Sequence, residues 1–226
     1  MFAEITSANV VGYKAEELRE GFTMISSTFV NVADASVGQD LTSFIASGDY
    51  SSGDIMVQTL NALGQGDKAY SFVKDRKGNW YWKDEDSGEK IEAGDVVFPK
   101  GIGLWVAGID ATQLTTAGQV STADTVVELC DGFTATGNMS AVEVDLTKII
   151  PGGEYSSGDI MIQTLTALGE GDKAYSFVKD RKGNWYWKDE DSGVKVEEGD
   201  VIFAAGAGLW VAGVNGATIT IPGPTL

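Results

Sequence analysis

Residues 50–108 read YSSGDIMVQTLNALGQGDKAYSFVKDRKGNWYWKDEDSGEKIEAGDVVFPKGIGLWVAG, and residues 155–213 repeat this segment at a fixed offset of 105. Only 10 of the 59 aligned positions differ. Three of these differences exchange Val and Ile, which keeps the volume of an apolar side chain nearly constant. The chain therefore contains one unit twice, and we expect the same fold in both copies.

The similarity between the copies weakens towards their amino-terminal ends. Residues 40–49 and 145–154 agree at half of their positions. Further upstream, only the pattern Glu-Leu-x-x-Gly-Phe-Thr recurs, at residues 17–23 and 128–134. Such uneven divergence arises either from partial gene conversion or from front segments that meet different neighbours.

The correspondence between the copies continues to Gly118 and Gly223, so we predict a boundary near Gly118. The predicted units are residues 1–118, with an extra amino-terminal strand, and residues 119–226. Units of about 110 residues are long enough to bury a hydrophobic core of their own.

Alternating apolar and polar residues, separated by turn signals, dominate each copy and are typical of strands. Asp75-Arg76-Lys77-Gly78 separates two aromatic runs and predicts a hairpin in which Gly78, like Gly183, has a positive φ. Asp40 is placed to cap one helical turn. The pattern predicts an all-β chain of two tandem antiparallel modules, each a sandwich or a small barrel.

Period-2 placement and the conservative exchanges predict which apolar side chains point into the core. In the first copy these are Val57, Ile91, Val97, Phe98, Leu104 and Trp105, and in the second copy Ile162, Val196, Ile202, Phe203, Leu209 and Trp210. The lone Cys130 cannot form a disulfide within the chain, and we expect it to be a small buried or half-buried side chain.

Both ends of the chain read as strands at sheet edges. Residues 2–11 alternate between polar and apolar types, and residues 218–221 do the same before Pro222 interrupts the pattern. An edge strand can pair with a second chain, so these segments are candidates for an intersubunit strand. Its predicted residues are Phe2, Ile5, Val10, Val11, Tyr13, Ile219 and Ile221.

Composition limits the possible functions. With 16 basic and 33 acidic residues, the net charge of -17 disfavours nucleic acid and anionic lipid as partners. The absence of His removes the commonest general base, and nothing singles out a catalytic pair among the carboxylates, so we expect neither enzymatic activity nor a cofactor. No apolar run is long enough to span a membrane, and we expect no insertion.

The same composition bears on the location of the protein. A chain with 29 Gly, one Cys and abundant Ser and Thr fits an extracellular or cell-surface β protein better than a cytosolic enzyme. No intact signal peptide begins the sequence, so the protein is either cytosolic or processed. We favour the extracellular alternative.

The aromatic run of the hairpin has two interpretations. In a strand, Trp80 and Trp82 share one face and Tyr81 lies on the other. One face can fill the core while the other forms cross-strand pairs. Alternatively, the rings form a flat platform that binds sugar rings or another subunit. The platform residues would be Trp80, Tyr81, Trp82, Trp185, Tyr186 and Trp187.

The turn after each aromatic strand is rich in oxygen ligands. Asp84 and Asp86 in the first copy, and Asp189 and Asp191 in the second, are spaced as in a tight calcium loop. The bidentate Glu that completes such a loop is missing, so we interpret these residues as a solvated turn and predict no bound metal.

The chain also resembles a group of secreted, β-rich repeat proteins of Verrucomicrobia-like and related bacteria. The motifs that carry the resemblance are Asn9-Val10-Val11-Gly12-Tyr13, Gly21-Phe22-Thr23-Met24-Ile25, Gly53-Asp54-Ile55, the Trp80 hairpin, and Gly94-Asp95 before Gly103-Leu104-Trp105. The resemblance implies an exported surface role and supplies no catalytic residue.

Two functional hypotheses follow. In the first, the chain is the structural subunit of an extracellular filament, pilus-like fibre or surface layer, in which a terminal strand completes a sheet in the next copy. In the second, it is a pair of carbohydrate-binding or adhesive modules, in which duplication raises avidity. The partner is another copy of the chain in the first case and a glycan in the second.

Overall fold

The computed structural model describes residues 11–30, 38–166 and 170–224. These residues form an all-β structure of antiparallel strands, with short 3-10 turns at Leu41–Ser43 and Leu146–Lys148. In the first half the strands are β1 (Val11–Leu18), β2 (Gly21–Ser26), β3 (Phe29–Val30), β4 (Gln39–Asp40), β5 (Ile45–Ser47), β6 (Ile55–Leu60), β7 (Gly66–Lys74), β8 (Trp80–Asp84), β9 (Val97–Phe98), β10 (Gly103–Gly108) and β11 (Thr112–Val120).

The second half repeats this order. Its strands are β12 (Thr125–Glu128), β13 (Gly132–Gly137), β14 (Val144–Asp145), β15 (Ile150–Gly153), β16 (Met161–Leu165), β17 (Gly171–Lys179), β18 (Trp185–Asp189), β19 (Ile202–Phe203), β20 (Gly208–Gly213) and β21 (Ala217–Ile221). The predicted boundary near Gly118 falls within β11, two residues before the strand ends at Val120.

Each half is a sandwich of a large and a small sheet. The large sheets have the strand orders β2-β10-β6-β7-β8 and β13-β20-β16-β17-β18. In the first half, β11 pairs with β1, β3 and β5, and in the second half β21 pairs with β12 and β15. Each half encloses a separate cluster of buried apolar side chains, to which both of its sheets contribute.

Most of the predicted core positions are buried. Val57, Ile91, Phe98 and Leu104 are confirmed in the first half, as are Ile162, Val196, Phe203 and Leu209 in the second. The prediction is wrong for Val97 and Ile202, which are 36% and 46% exposed. Each precedes a buried Phe in a two-residue strand, so alternation turns it to the opposite side.

Trp105 and Trp210 are also not core residues of their own halves. In β10, Leu104 and Val106 are fully buried in the core, so Trp105 between them points to the other face of the sheet. That face meets the second half, where the rings of Trp105 and Trp210 stack with centroids 6.2 Å apart. The prediction that these rings fill the cores is therefore wrong.

The local turn predictions are confirmed. Gly78 and Gly183 both have φ of 91°. The Asp75 carboxylate accepts hydrogen bonds from the backbone N–H groups of Lys77 at 2.7 Å and Asn79 at 2.9 Å, which closes the hairpin between β7 and β8. The Asp40 carboxylate caps the 3-10 turn by accepting from the Thr42 N–H at 2.7 Å.

The strands near the two ends of the chain differ in how they pair. Strand β1 pairs with β11 on one side, and no other described strand pairs with it; its Tyr13 is 81% exposed. Strand β21, in contrast, lies between β12 and β15, and its Ile219 and Ile221 are buried in the core. The edge prediction is wrong for residues 218–221, because strands from both sides satisfy their backbone. The predicted residues Phe2, Ile5 and Val10 lie outside the described residues.

The two halves contact each other through β2 and β10 on one side and β13 and β20 on the other, which we call the inter-half contact. The Ser26 N–H donates to the Gly206 carbonyl at 3.0 Å, and the Thr136 hydroxyl donates to the Gly101 carbonyl at 2.6 Å. Strands β2 and β13 belong to the front segments in which the copies diverge. Strand β2 contacts β20, and β13 contacts β10, so each of these front strands packs against the other half.

We expect Gly208→Ala to destabilise the protein by about 1–3 kcal/mol through overpacking. A β-carbon at Gly208 would lie 2.6 Å from the Met24 carbonyl carbon and 2.7 Å from its oxygen, so the halves must separate. Gly66→Ala is the control, because Gly66 also begins a strand but its nearest neighbour, in Gln58, is 3.5 Å away. Urea unfolding measures the stability of both variants. Equal losses of stability would contradict the close approach of Gly208 to Met24.

Candidate functional site

Each half contains a groove along the outer strand of its large sheet. Groove one has a volume of about 360 Å³ and is lined by Thr42, Phe44, Ile45, Phe72, Trp80, Tyr81, Trp82, Lys90, Ile91, Glu92 and Ala93. Groove two has a volume of about 380 Å³ and is lined by Thr147, Ile149, Ile150, Pro151, Phe177, Trp185, Tyr186, Trp187, Lys195, Val196, Glu197 and Glu198. The two grooves occupy equivalent places in the repeat.

The second Trp of each aromatic strand forms the base of the groove. Trp82 is only 2% exposed, and its indole N–H donates to the Phe44 carbonyl at 3.0 Å. Trp187 is equally buried and donates to the Ile149 carbonyl at 3.1 Å. These rings are core residues that tie β8 and β18 to the segment after each 3-10 turn. They do not form the exposed platform that the sequence allowed.

The first Trp lies at the mouth of the groove. Trp80 is half-buried and stacks on Phe72, with ring centroids 5.2 Å apart and an angle of 11° between the planes. Tyr50 contacts it at 4.9 Å, and the Lys74 ammonium lies 5.5 Å from its ring centre. Because aromatic neighbours hold the ring, its orientation is set before any ligand arrives.

Trp185 repeats this arrangement in the second half. It stacks on Phe177 at 5.2 Å and 8°, and Tyr155 meets it at 5.2 Å. The Lys179 ammonium lies 5.5 Å from the ring centre. The ring geometry is thus conserved between the two grooves to within a few tenths of an ångström.

Tyr81 and Tyr186 alternate with the Trp residues along β8 and β18, as predicted, and both border the grooves while remaining half-buried. Ile45 and Ile150 also line the grooves and are 59% and 64% exposed. Neither was among the predicted site residues. Their only signal is an apolar residue after a buried one in a short strand, and the fold alone brings them beside the aromatic strand.

An ion pair lines one wall of each groove. Lys90 contacts Glu92 at 2.8 Å, and Lys195 contacts Glu197 at 3.0 Å. The hydrogen bond that the Lys90 ammonium donates to Glu92, together with the negative charge of Glu92, raises the pKa of Lys90. Each wall therefore offers a donor and an acceptor. Glu198 also lines groove two and pairs with Lys148 at 2.6 Å.

Backbone groups of the outer strand also face the grooves. The Trp82 carbonyl accepts from the Ile91 N–H at 2.8 Å, so Trp82 directs its backbone groups away from β7. Trp80 is two residues earlier in the same strand and directs its own N–H and C=O to the same side. The grooves thus combine an aromatic ring, an aliphatic side chain, an ion pair and a strand edge.

The Asp residues that were weighed as calcium ligands lie at the end of each aromatic strand and in the turn that follows it. The Asp84 carboxylate accepts from the N–H groups of Asp86 at 2.9 Å and Ser87 at 2.8 Å, and the bond from Ser87 contributes most to lowering its pKa. Asp189 accepts from the Ser192 N–H at 2.7 Å, and Asp191 pairs with Lys173 at 3.3 Å. In the part of the chain that the structure describes, no cluster of three potential metal ligands is found.

Cys130 is a free, half-buried thiol, as predicted. Its sulfur lies 3.5 Å from the Phe133 carbonyl and 3.4 Å from the Thr134 hydroxyl. These contacts are local to the turn before β13 and place the thiol outside both grooves.

No family model, curated protein or solved structure matches this chain. Within the described residues, no helix has the length and apolar character needed to cross a membrane.

We expect Trp82→Ala to destabilise the protein by about 3–5 kcal/mol, because it leaves a large cavity in the core. Trp80→Ala should have a smaller effect, since the Trp80 ring is partly exposed. Chemical unfolding of both variants checks the difference. If the two variants lost the same stability, the assignment of Trp82 to the base of the groove and of Trp80 to its mouth would be wrong.

Proposed function

We propose that this protein is a bivalent binding protein for neutral saccharides, with one site in each groove. The observation that carries the proposal is that the same groove, with the same ring geometry, occurs in both halves. A partly exposed Trp at the mouth of a groove offers a flat apolar surface on which the C–H face of a sugar can stack. The groove volumes lie within the range of small-ligand sites.

The polar groups favour a neutral ligand rich in hydroxyls. The Lys90–Glu92 pair provides a donor and an acceptor beside the ring. The Lys74 ammonium above Trp80 is on a flexible side chain and can move to bond a hydroxyl. The net charge of -17 repels polyanionic ligands and so disfavours heavily sulfated or acidic polysaccharides.

Two equivalent sites on one chain favour a polymeric or clustered ligand. Binding at the first groove raises the effective concentration of ligand at the second, so avidity exceeds the affinity of either groove. Such a role requires no catalytic residue and fits a chain without His. It also suits a location outside the cell, which the composition favours.

We expect neutral oligosaccharides, screened on a glycan array and measured by titration calorimetry, to bind with a stoichiometry of two per chain. Trp80→Ala and Trp185→Ala should each remove one site, and the double variant should remove both, because each ring serves one groove. Val97→Ala with Ile202→Ala is the matched control, since both side chains are exposed outside the grooves. Binding that survives in the double Trp variant would exclude the grooves as the sites.

A second candidate function is assembly into a filament or surface layer by strand addition. One observation favours it: β1 is paired on one side only among the described strands, and it presents Val11 and Tyr13 to solvent. A strand with unpaired backbone groups can accept or continue a sheet from a second copy. In this proposal Phe2, Ile5 and Val10, which precede β1, would take part in the contact.

We expect a chain without residues 1–10 to remain folded and monomeric under conditions in which the intact chain polymerises, because the residues proposed to extend the contact beyond β1 have been removed. Sedimentation at matched concentration and salt compares the two, with a chain lacking residues 225–226 as the control. An intact chain that stays monomeric at high concentration would rule out assembly through this edge.

A further inference from the structure

The inter-half contact has the reciprocity of a two-fold interface. Ile25 in β2 forms a bridge with Ala207, and the neighbouring Ser26 N–H bonds to the Gly206 carbonyl. In the other direction, Thr136 in β13 bonds to the Gly101 carbonyl. Gly101 and Gly206 are equivalent positions of the repeat, so each half uses its front strand to contact the same segment of the other.

The centre of the contact has the same symmetry. Trp105 stacks on Trp210, its own equivalent, with centroids 6.2 Å apart. Phe22 flanks Trp105 at 5.0 Å, and Phe133 flanks Trp210 at 4.9 Å. In a two-fold interface, a residue near the axis meets its own copy and every other contact occurs twice. The two halves therefore meet across an approximate two-fold axis.

A short linker, residues 121–124, joins the halves between β11 and β12. The Lys100 ammonium donates to the Ser121 hydroxyl at 2.9 Å and to the Ala123 carbonyl at 3.2 Å. The Asp124 carboxylate accepts from the Gly223 N–H at 2.9 Å. These bonds hold the linker against both halves.

Lys100 is one of the few positions at which the copies differ. Its equivalent in the second copy is Ala205. Burial lowers the pKa of Lys100, and the charge of Asp124 opposes this effect. Partial burial of an ammonium costs free energy, and Ala occupies the equivalent position of the second copy. The bonds from Lys100 to the linker therefore offset that cost.

We propose that the inter-half contact is a self-recognition surface that also joins the first half of one chain to the second half of another copy, with Lys100 holding the linker in the form that favours pairing within one chain. The contacts are the same in both arrangements, so linker geometry and chain concentration decide between them. Reciprocal exchange gives closed dimers, and sequential exchange gives open chains.

The test uses the full chain with Lys100→Met, which keeps an unbranched side chain of similar length but removes the ammonium. After unfolding and refolding at high concentration, we expect the dimer fraction by sedimentation to rise about tenfold over the unmodified chain, as loss of the linker bonds implies. Lys68→Met is the matched control, because Lys68 is exposed and its ion pair is with Asp86 in the first half, not with the linker. A dimer fraction equal to that of the control, in folded protein, would overturn the proposal.

A second measurement identifies the surface. Adding Gly208→Ala to Lys100→Met should abolish the extra dimer, because the β-carbon would press on Met24 in either arrangement. Native mass spectrometry of a mixture of tagged and untagged chains should detect mixed dimers only after refolding together. If dimers persisted with Gly208→Ala, the chains would associate through another surface. If tagged and untagged chains formed mixed dimers at once in native buffer, module exchange would be refuted.

Discussion

Strands β10 and β20 are buried on both faces, and this constraint organises the protein. On one face of β10, Leu104 and Val106 are fully buried in the core of the sandwich. On the other face, Trp105 meets Trp210 of the second half. Because successive side chains of a strand alternate, one six-residue strand can serve a core and an interface together. Gly103 lets the backbones approach there, since a β-carbon would lie 2.6 Å from the Thr136 backbone.

The grooves lie at the opposite edge of the same large sheets. Strand β8 is the last strand of its sheet, and the returning chain covers only part of its outer side, through Ile91. Trp82 is buried in the core next to this covering segment, while Trp80 lies at the mouth of the groove and stacks on Phe72. A binding surface therefore arises where the sandwich ends, and duplication of the fold produces it twice.

Local chemistry could be predicted where a few adjacent residues decide the outcome. The Asp75–Gly78 turn and the Asp40 cap depend on side chains within four residues, and both formed as expected. The predictions for Val97 and Trp105 were wrong because each is adjacent to a buried core residue in the same strand, and alternation allows only one of two neighbours to face the core. Which of the two faces the core, and whether the other meets solvent or the second half, depends on packing between distant strands.

By itself, the sequence determined an all-β chain built twice from one unit, its hairpins, and most of the buried positions, because period-2 alternation and turn residues act over short range. Only the tertiary structure decided that β21 is a central strand, that Ile45 lines the same groove as Trp80, and that Trp105 meets Trp210. Each of these depends on which distant strands pair and which faces pack. Such contacts join residues far apart in the chain, and no local pattern specifies them.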